Sequence, residues 1–267
     1  KIFIMQVAQN KLRILAIHGY HQSDIIFKGK LGSLRKGFKK ELDFTFVKAP
    51  HKIPNQNEFN TDAEESYGWW FNTEDCVFKA TVQSNHCVGF EDSLDVIIKT
   101  CQEHGPFDGI LGFSQGAAFA VILCIMQQRK ICPFKFNFAI IISGFISLCA
   151  PHAKYYNEII EMPSLHVYGL NDKVIPTDMT EKVCDLFKDC SKITHEGGHY
   201  IPIIIMLYVT YKVHCIFCEN NLLWLNLLYN SWKMQFVIFV NNVIQNNITH
   251  LQIFYMPLQM FLYKSDA

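Results

Sequence analysis

The chain has no net charge: 24 basic residues cancel 24 acidic ones over 267 positions. No general field therefore draws it to nucleic acid or to an anionic membrane. Charged residues of either sign are scarce, at 18% against about 25% in ordinary soluble domains. The opening KIFIMQVAQNKLR has no apolar run beside a small-residue cleavage site. Its ten cysteines follow no paired spacing, which argues against a secreted disulfide framework and for reduced thiols in a cytoplasmic protein, the nucleus being a second compartment open to it. The chain opens on Lys1, and an internal start at Met5 and a truncated record both fit that.

Glycine is missing from one end. All 14 glycines precede Pro202, and the only alanine beyond it is Ala267. That stretch has no amphipathic periodicity, turn punctuation or helix caps. Residues 203–267 are expected to be an atypical apolar, Asn-rich tail produced by a faulty gene model, beside a single domain over residues 1–202. A membrane anchor is the rival, because Met234–Tyr263 has no Lys, Arg, Asp or Glu. However, Asn241, Asn242, Asn246 and Asn247 interrupt it, and a spanning helix needs about 20 mostly apolar residues. Ile201–Tyr211 is too short to span. Cys215 and Cys218 form a C-x-x-C beside His214, but no second ligand pair follows, so no metal site is expected there.

From Leu12 to about Thr194 short apolar runs alternate with amphipathic stretches. The runs are Leu12–Ile17, Phe44–Val47, Asp108–Phe113, Phe138–Ser143, Ser164–Gly169 and Lys192–His195, continuous enough to be buried parallel strands. Helices are expected over Gly29–Lys40, Phe90–His104, Gln115–Arg129 and Thr177–Cys190, the last capped by Asp178. Such alternation implies right-handed crossovers and a doubly wound, mainly parallel sheet with helices on both faces. The long connection Ala49–Cys87 is polar except for Tyr67, Trp69, Trp70 and Phe71. A lid fits its length. Its aromatic cluster, Trp69 and Trp70 above all, suits either an acyl-pocket wall or plain packing.

Gly112-Phe113-Ser114-Gln115-Gly116 fits G-x-S-x-G between a strand and a helix. This is the nucleophile elbow of the α/β-hydrolase fold, which strains the serine backbone and lifts its hydroxyl above the sheet. A serine needs a base, and that fold places an acid and then a histidine after it. Asp172 follows the strand Ser164–Gly169, at the end where functional groups of open α/β sheets collect. Of 11 histidines, His199 lies 27 positions beyond Asp172, in a loop that Gly197 and Gly198 allow to bend back. His195 competes but belongs to a strand, and His166 reads as a core histidine. For an oxyanion, the N–H of Gln115 is one expected donor. The other comes from the loop after the first strand, with Tyr20 preferred and His21 close behind, while His18 orders that loop.

The stretches LAIHGYHQS, ESYGWWF, GFEDSLDVI, GPFDGILGFSQGAA, IISGF, PSLHVYGLNDKVIP and GGHYIP, in this order from about Leu12 to Pro202, resemble the family serine hydrolases, a group of small esterases. The resemblance implies hydrolysis of carboxylic esters with acyl or alkyl chains, medium to long, on a small-molecule substrate and with no cofactor. It places the triad on Ser114, Asp172 and His199. The family also continues into a closing helix after GGHYIP, which this sequence lacks. A thioesterase or peptidase of the same fold, and a non-catalytic binding protein on the same scaffold, are the alternatives. The sequence does not define an oligomeric state.

Overall fold

A computed structural model describes residues 11–53 and 65–202. The expectations for the start at Met5 and for the tail, with its Cys215–Cys218 pair and the Met234–Tyr263 run, fall outside the described residues. In chain order the elements are β1 (Leu12–Ile17), α1 (Asp24–Lys30), α2 (Gly32–Gly37), β2 (Leu42–Val47), β3 (His51–Lys52) and β4 (Tyr67–Gly68). Then come α3 (Phe90–His104), β5 (Gly109–Phe113), α4 (Gln115–Gln128), β6 (Phe138–Ile142), a 3-10 turn (Ala150–Tyr155), β7 (Ser164–Gly169), α5 (Thr177–Cys184) and β8 (Cys190–His195).

Six strands form one sheet in the order β2-β1-β5-β6-β7-β8, and every pairing is parallel. β5, β6 and β7 are buried throughout, as their unbroken apolar runs require. Of the outer strands, β2 exposes Asp43 and β8 exposes Lys192 and Thr194. The order reverses between β1 and β5, since one path steps outward to β2 and the other to β6, β7 and β8. Right-handed crossovers put the helices of those two paths on opposite faces. The reversal opens a crevice at the carboxyl ends of the strands, where Ile17, Phe113, Ile142, Gly169 and His195 end their strands. β3 and β4 make a small antiparallel pair inside the long connection.

α3 buries Phe90, Ser93 and Ile97, with Glu91 and Asp92 in its first turn and His104 in its last, each favourably placed in the helix dipole. α4 is enclosed on every side from Gln115 to Met126. Phe119 on α4 centres an aromatic cluster, with ring centroids 5.4 Å from Trp69, 6.0 Å from Trp70 and 5.4 Å from Phe90.

Several boundaries differ from the sequence pattern, β2 and β8 each starting two residues early. The expected helix over Gly29–Lys40 is two short ones, and the first starts earlier because Ser23 caps it, its Oγ accepting the Ile26 N–H at 3.2 Å. α5 stops at Cys184 because the following residues pair with Ile160, which donates to Leu186 O and accepts from Lys188 N. Pro176, not Asp178, occupies the N-cap, and Asp178 sits in the first turn, 3.2 Å from Lys182. β6 ends before Ser143, whose positive φ of 47° turns the chain out of the sheet. Among the described residues no helix is long and apolar enough to cross a membrane, and the cysteines are free.

Phe119→Ala would empty the centre of the aromatic cluster and cost about 3–5 kcal/mol. Chemical denaturation checks this, and a loss below about 1 kcal/mol would contradict the packing described.

Candidate active site

The turn between β5 and α4 is closely packed. A Cβ on Gly112 would collide with the Gly116 carbonyl and the Ala117 backbone, and one on Gly116 with the carbonyls of Ile17 and His18. Only glycine fits at either position. Between them Ser114 takes φ 54° and ψ −118°, a strained conformation costing about 1–3 kcal/mol. Its N–H donates to Ile142 O at 2.9 Å, and its carbonyl accepts from Ala117 and Ala118. Ser114 is 7% exposed: the side chain is reachable but largely dry.

Asp172 follows β7 and is also 7% exposed. Its Oδ1 accepts the N–H groups of Val174 and Ile175, both at 2.9 Å, which fixes the carboxylate plane. Its Oδ2 lies 2.7 Å from His199 Nδ1, and His199 Nε2 lies 3.0 Å from Ser114 Oγ. With Nδ1–H donating to the carboxylate, Nε2 is left to accept the serine hydroxyl. Burial alone would raise the Asp172 carboxyl, but hydrogen bonds from His199, Ile175 and Val174 outweigh it and hold the group below its usual range. Residues from β5, β7 and the loop after β8 thus form one hydrogen-bonded line.

The loop carrying His199 is pinned to the one carrying Asp172. Leu170 N donates to His195 O at 2.8 Å, Asn171 N to Gly197 O at 3.1 Å and Asn171 Nδ2 to Glu196 O at 2.6 Å. Gly197 serves closeness here rather than a left-handed bend: a Cβ on it would strike the Tyr200 ring, whereas one on Gly198 would have room, and neither glycine has a positive φ. His195 stays in β8, where its Nδ1 accepts the Gly197 N–H at 3.2 Å. His166 is fully buried, with Nε2 3.0 Å from Ser164 Oγ.

The loop after β1 passes against the elbow, where a Cβ on Gly19 would lie 3.3 Å from Ser114 Cβ. His18 orders this loop. Its Nδ1–H donates to Gly19 O at 2.7 Å and its Nε2 accepts the Ala49 N–H at 3.0 Å. Burial lowers its pKa to about 4, so the ring is neutral. Among the described residues, the N–H groups of Gln115, Tyr20 and His21 meet no acceptor.

Trp69 and Trp70 are both fully buried. Their rings pack in the core against Phe119. The Gln115 side chain holds them, and the sequence reading, which used only its backbone, missed this. Gln115 Oε1 accepts the Trp69 N–H at 3.0 Å and Nε2 donates to Trp70 O at 2.7 Å. Trp69 Nε1 donates to His18 O at 2.7 Å, which joins this segment to the loop after β1. The one available signal was an amide opening a helix that is apolar from Gly116 to Met126, where it must find partners.

The family model described as serine hydrolase (FSH1) matches residues 5–204. The chain belongs to this serine hydrolase family. It is 41% identical over 204 residues to esterase AGAP003155 of Anopheles gambiae, covering 76% of each chain. It is 40% identical over 205 residues to esterase OVCA2 of Danio rerio, covering 72% of this chain and 90% of that one. Among solved structures, Zea mays acyl-protein thioesterase 2 superposes with a TM-score of 0.56 at 16% identity, over 80% of this chain and 96% of that one. That likeness places this serine hydrolase in the α/β-hydrolase fold.

Gln115→Leu would leave the Trp69 N–H and the Trp70 carbonyl buried without partners, at a cost of about 2–6 kcal/mol measured by denaturation. His18 gives a pH dependence. Its pKa falls from 6.5 to about 4 on folding, so below 6.5 only the unfolded chain takes up the proton. The stabilisation is complete above that value and is lost as pH drops toward 4. The denaturation midpoint should fall across this window, and less steeply in His18→Asn; an unchanged slope in that variant would refute the assignment.

Proposed function

We propose that this serine hydrolase cleaves carboxylic esters bearing acyl or alkyl chains of medium to long length, without a cofactor, through an acyl-enzyme on Ser114. The observation that carries the reading is the line Asp172–His199–Ser114, at 2.7 and 3.0 Å, seated on a strained elbow. The relatives named esterases support the ester as substrate. Exposed Leu170, Val174 and Tyr200 beside Asp172 and His199 support an apolar chain on the substrate. Free thiols fit a cytoplasmic setting.

In the first step His199 Nε2 takes the Ser114 proton as Oγ attacks the ester carbonyl. The resulting oxyanion is met by the N–H groups of Gln115 and Tyr20, each donor worth about 3–4 kcal/mol in a comparable hydrolase. The dipole of α4 adds its positive end. His199 returns the proton to the leaving alcohol. Water then attacks the acyl-enzyme by the same route reversed, and Asp172 remains ionised throughout, stabilising the imidazolium.

Ser114→Ala should abolish both fluorophosphonate labelling and ester turnover, and retained turnover would end this reading. Asp172→Asn keeps the acceptor for Val174 and Ile175 but favours the wrong imidazole tautomer, so kcat should fall about 10,000-fold with the fold intact. A panel of matched esters, thioesters and amides tests the bond cleaved; faster cleavage of the thioester or the amide would reassign the substrate class.

A further inference from the structure

Three side chains outside the hydrolytic line converge on one point. Cys87, Cys149 and His152 each bring one ligand atom, and these atoms lie within 4.8 Å of one another. Cys149 immediately precedes the 3-10 turn and His152 lies within it, in a C-x-x-H spacing. Cys87 arrives from the connection before α3, which bridges to this turn through Ser84 and Cys149. Cys149 and His152 are buried to within 1%, whereas Cys87 is half-buried and gives access from solvent.

The imidazole is already oriented. His152 Nδ1 lies 2.8 Å from Ser147 Oγ, and Nε2 lies 3.0 Å from Cys87 Sγ. The same Ser147 oxygen accepts the Cys149 N–H at 3.3 Å. With Nδ1–H donated to Ser147, the Nε2 lone pair faces the sulfurs, which is how an outer hydrogen bond orients a metal-bound histidine. A buried N–H also waits beside His152: Trp70 Nε1 has no hydrogen-bond partner among the described residues. A buried donor without an acceptor calls for an explanation, and a metal-bound thiolate is a stronger acceptor than a thiol.

We infer that Cys87, Cys149 and His152 bind one zinc-class divalent cation, with water in the fourth position on the exposed side of Cys87. Two sulfurs and an imidazole select a borderline-soft ion and reject magnesium and calcium. In a tetrahedral zinc site the sulfur and nitrogen ligands lie about 3.6 Å apart, so the 3.0 Å between Cys87 Sγ and His152 Nε2 must open by about half an ångström to admit the ion. Binding releases two thiol protons to solvent, and the two thiolates balance the cation's charge. The ion would join the connection before α3 to the turn after β6, beside Trp70, whose ring meets His152 edge-on at 5.3 Å.

The test uses the full chain in a phosphine reductant, so that no disulfide competes. Iodoacetamide labelling of Cys87, read by peptide mass spectrometry, should slow about tenfold when zinc is tenfold above its dissociation constant. Cobalt(II) titration, followed by the thiolate charge-transfer band, should lose one equivalent in Cys149→Ser and in Cys87→Ser. Cys76→Ser, outside the trio, should keep it. Cys87→Ser alters only a half-buried side chain and serves if Cys149→Ser does not fold. Zinc-independent labelling of Cys87, or full cobalt stoichiometry in Cys87→Ser, overturns the site.

Discussion

Helix α4 has no solvent-facing side between Gln115 and Met126, and the form of the active site follows from that enclosure. A helix so confined sits hard against β1 and β5, which leaves room for nothing larger than hydrogen at Gly112 and Gly116. The chain can turn from β5 into α4 only through the left-handed backbone of Ser114, and tight packing on all sides holds that strain in place. The same confinement obliges Gln115 to spend its amide on Trp69 and Trp70. The strained Ser114 turn, the free helix N–H groups and the supporting wall are therefore consequences of a single buried helix.

Burial also sorts the histidines. His18 is deeply enclosed and neutral, and both its nitrogens are committed to backbone partners; it serves as a brace. His166 lies in β7 within the core. His199 differs in keeping one edge at the crevice while a carboxylate holds the other. The side chains are chemically identical, and what divides them is the partners their ring nitrogens meet: backbone groups for His18, the Ser164 hydroxyl for His166, and the Asp172 carboxylate with the Ser114 hydroxyl for His199.

Much of this was readable beforehand. β1, β7 and α3 fall on the residues expected of them, because interior strands are continuous apolar runs and α3 carries one apolar stripe. The members of the hydrogen-bonded line were readable too, since Ser114, Asp172 and His199 each follow a strand end in an order one fold imposes. Other features were settled by partners distant in sequence. The end of α5 depends on Ile160, and the start of α1 on a serine outside the apolar pattern. Trp69 and Trp70 have a composition that suits a pocket wall as well as a core, and their packing against Phe119 is set by contacts distant in sequence. The Gln115 clamp was hidden because it grips backbone groups, which leave no mark in residue identity.

Ser114, Asp172 and His199 hang from three separate strand ends, and 85 positions separate the first from the last. Parallel strands cannot pair with their immediate successors through a tight hairpin; each waits for its crossover to be completed. A nascent chain leaving the ribosome carries Ser114 long before His199 exists, and no partly assembled sheet brings the two together. Throughout synthesis the Ser114 hydroxyl is thus an ordinary alcohol, and its hydrogen bond to His199 forms only with the docking of β8.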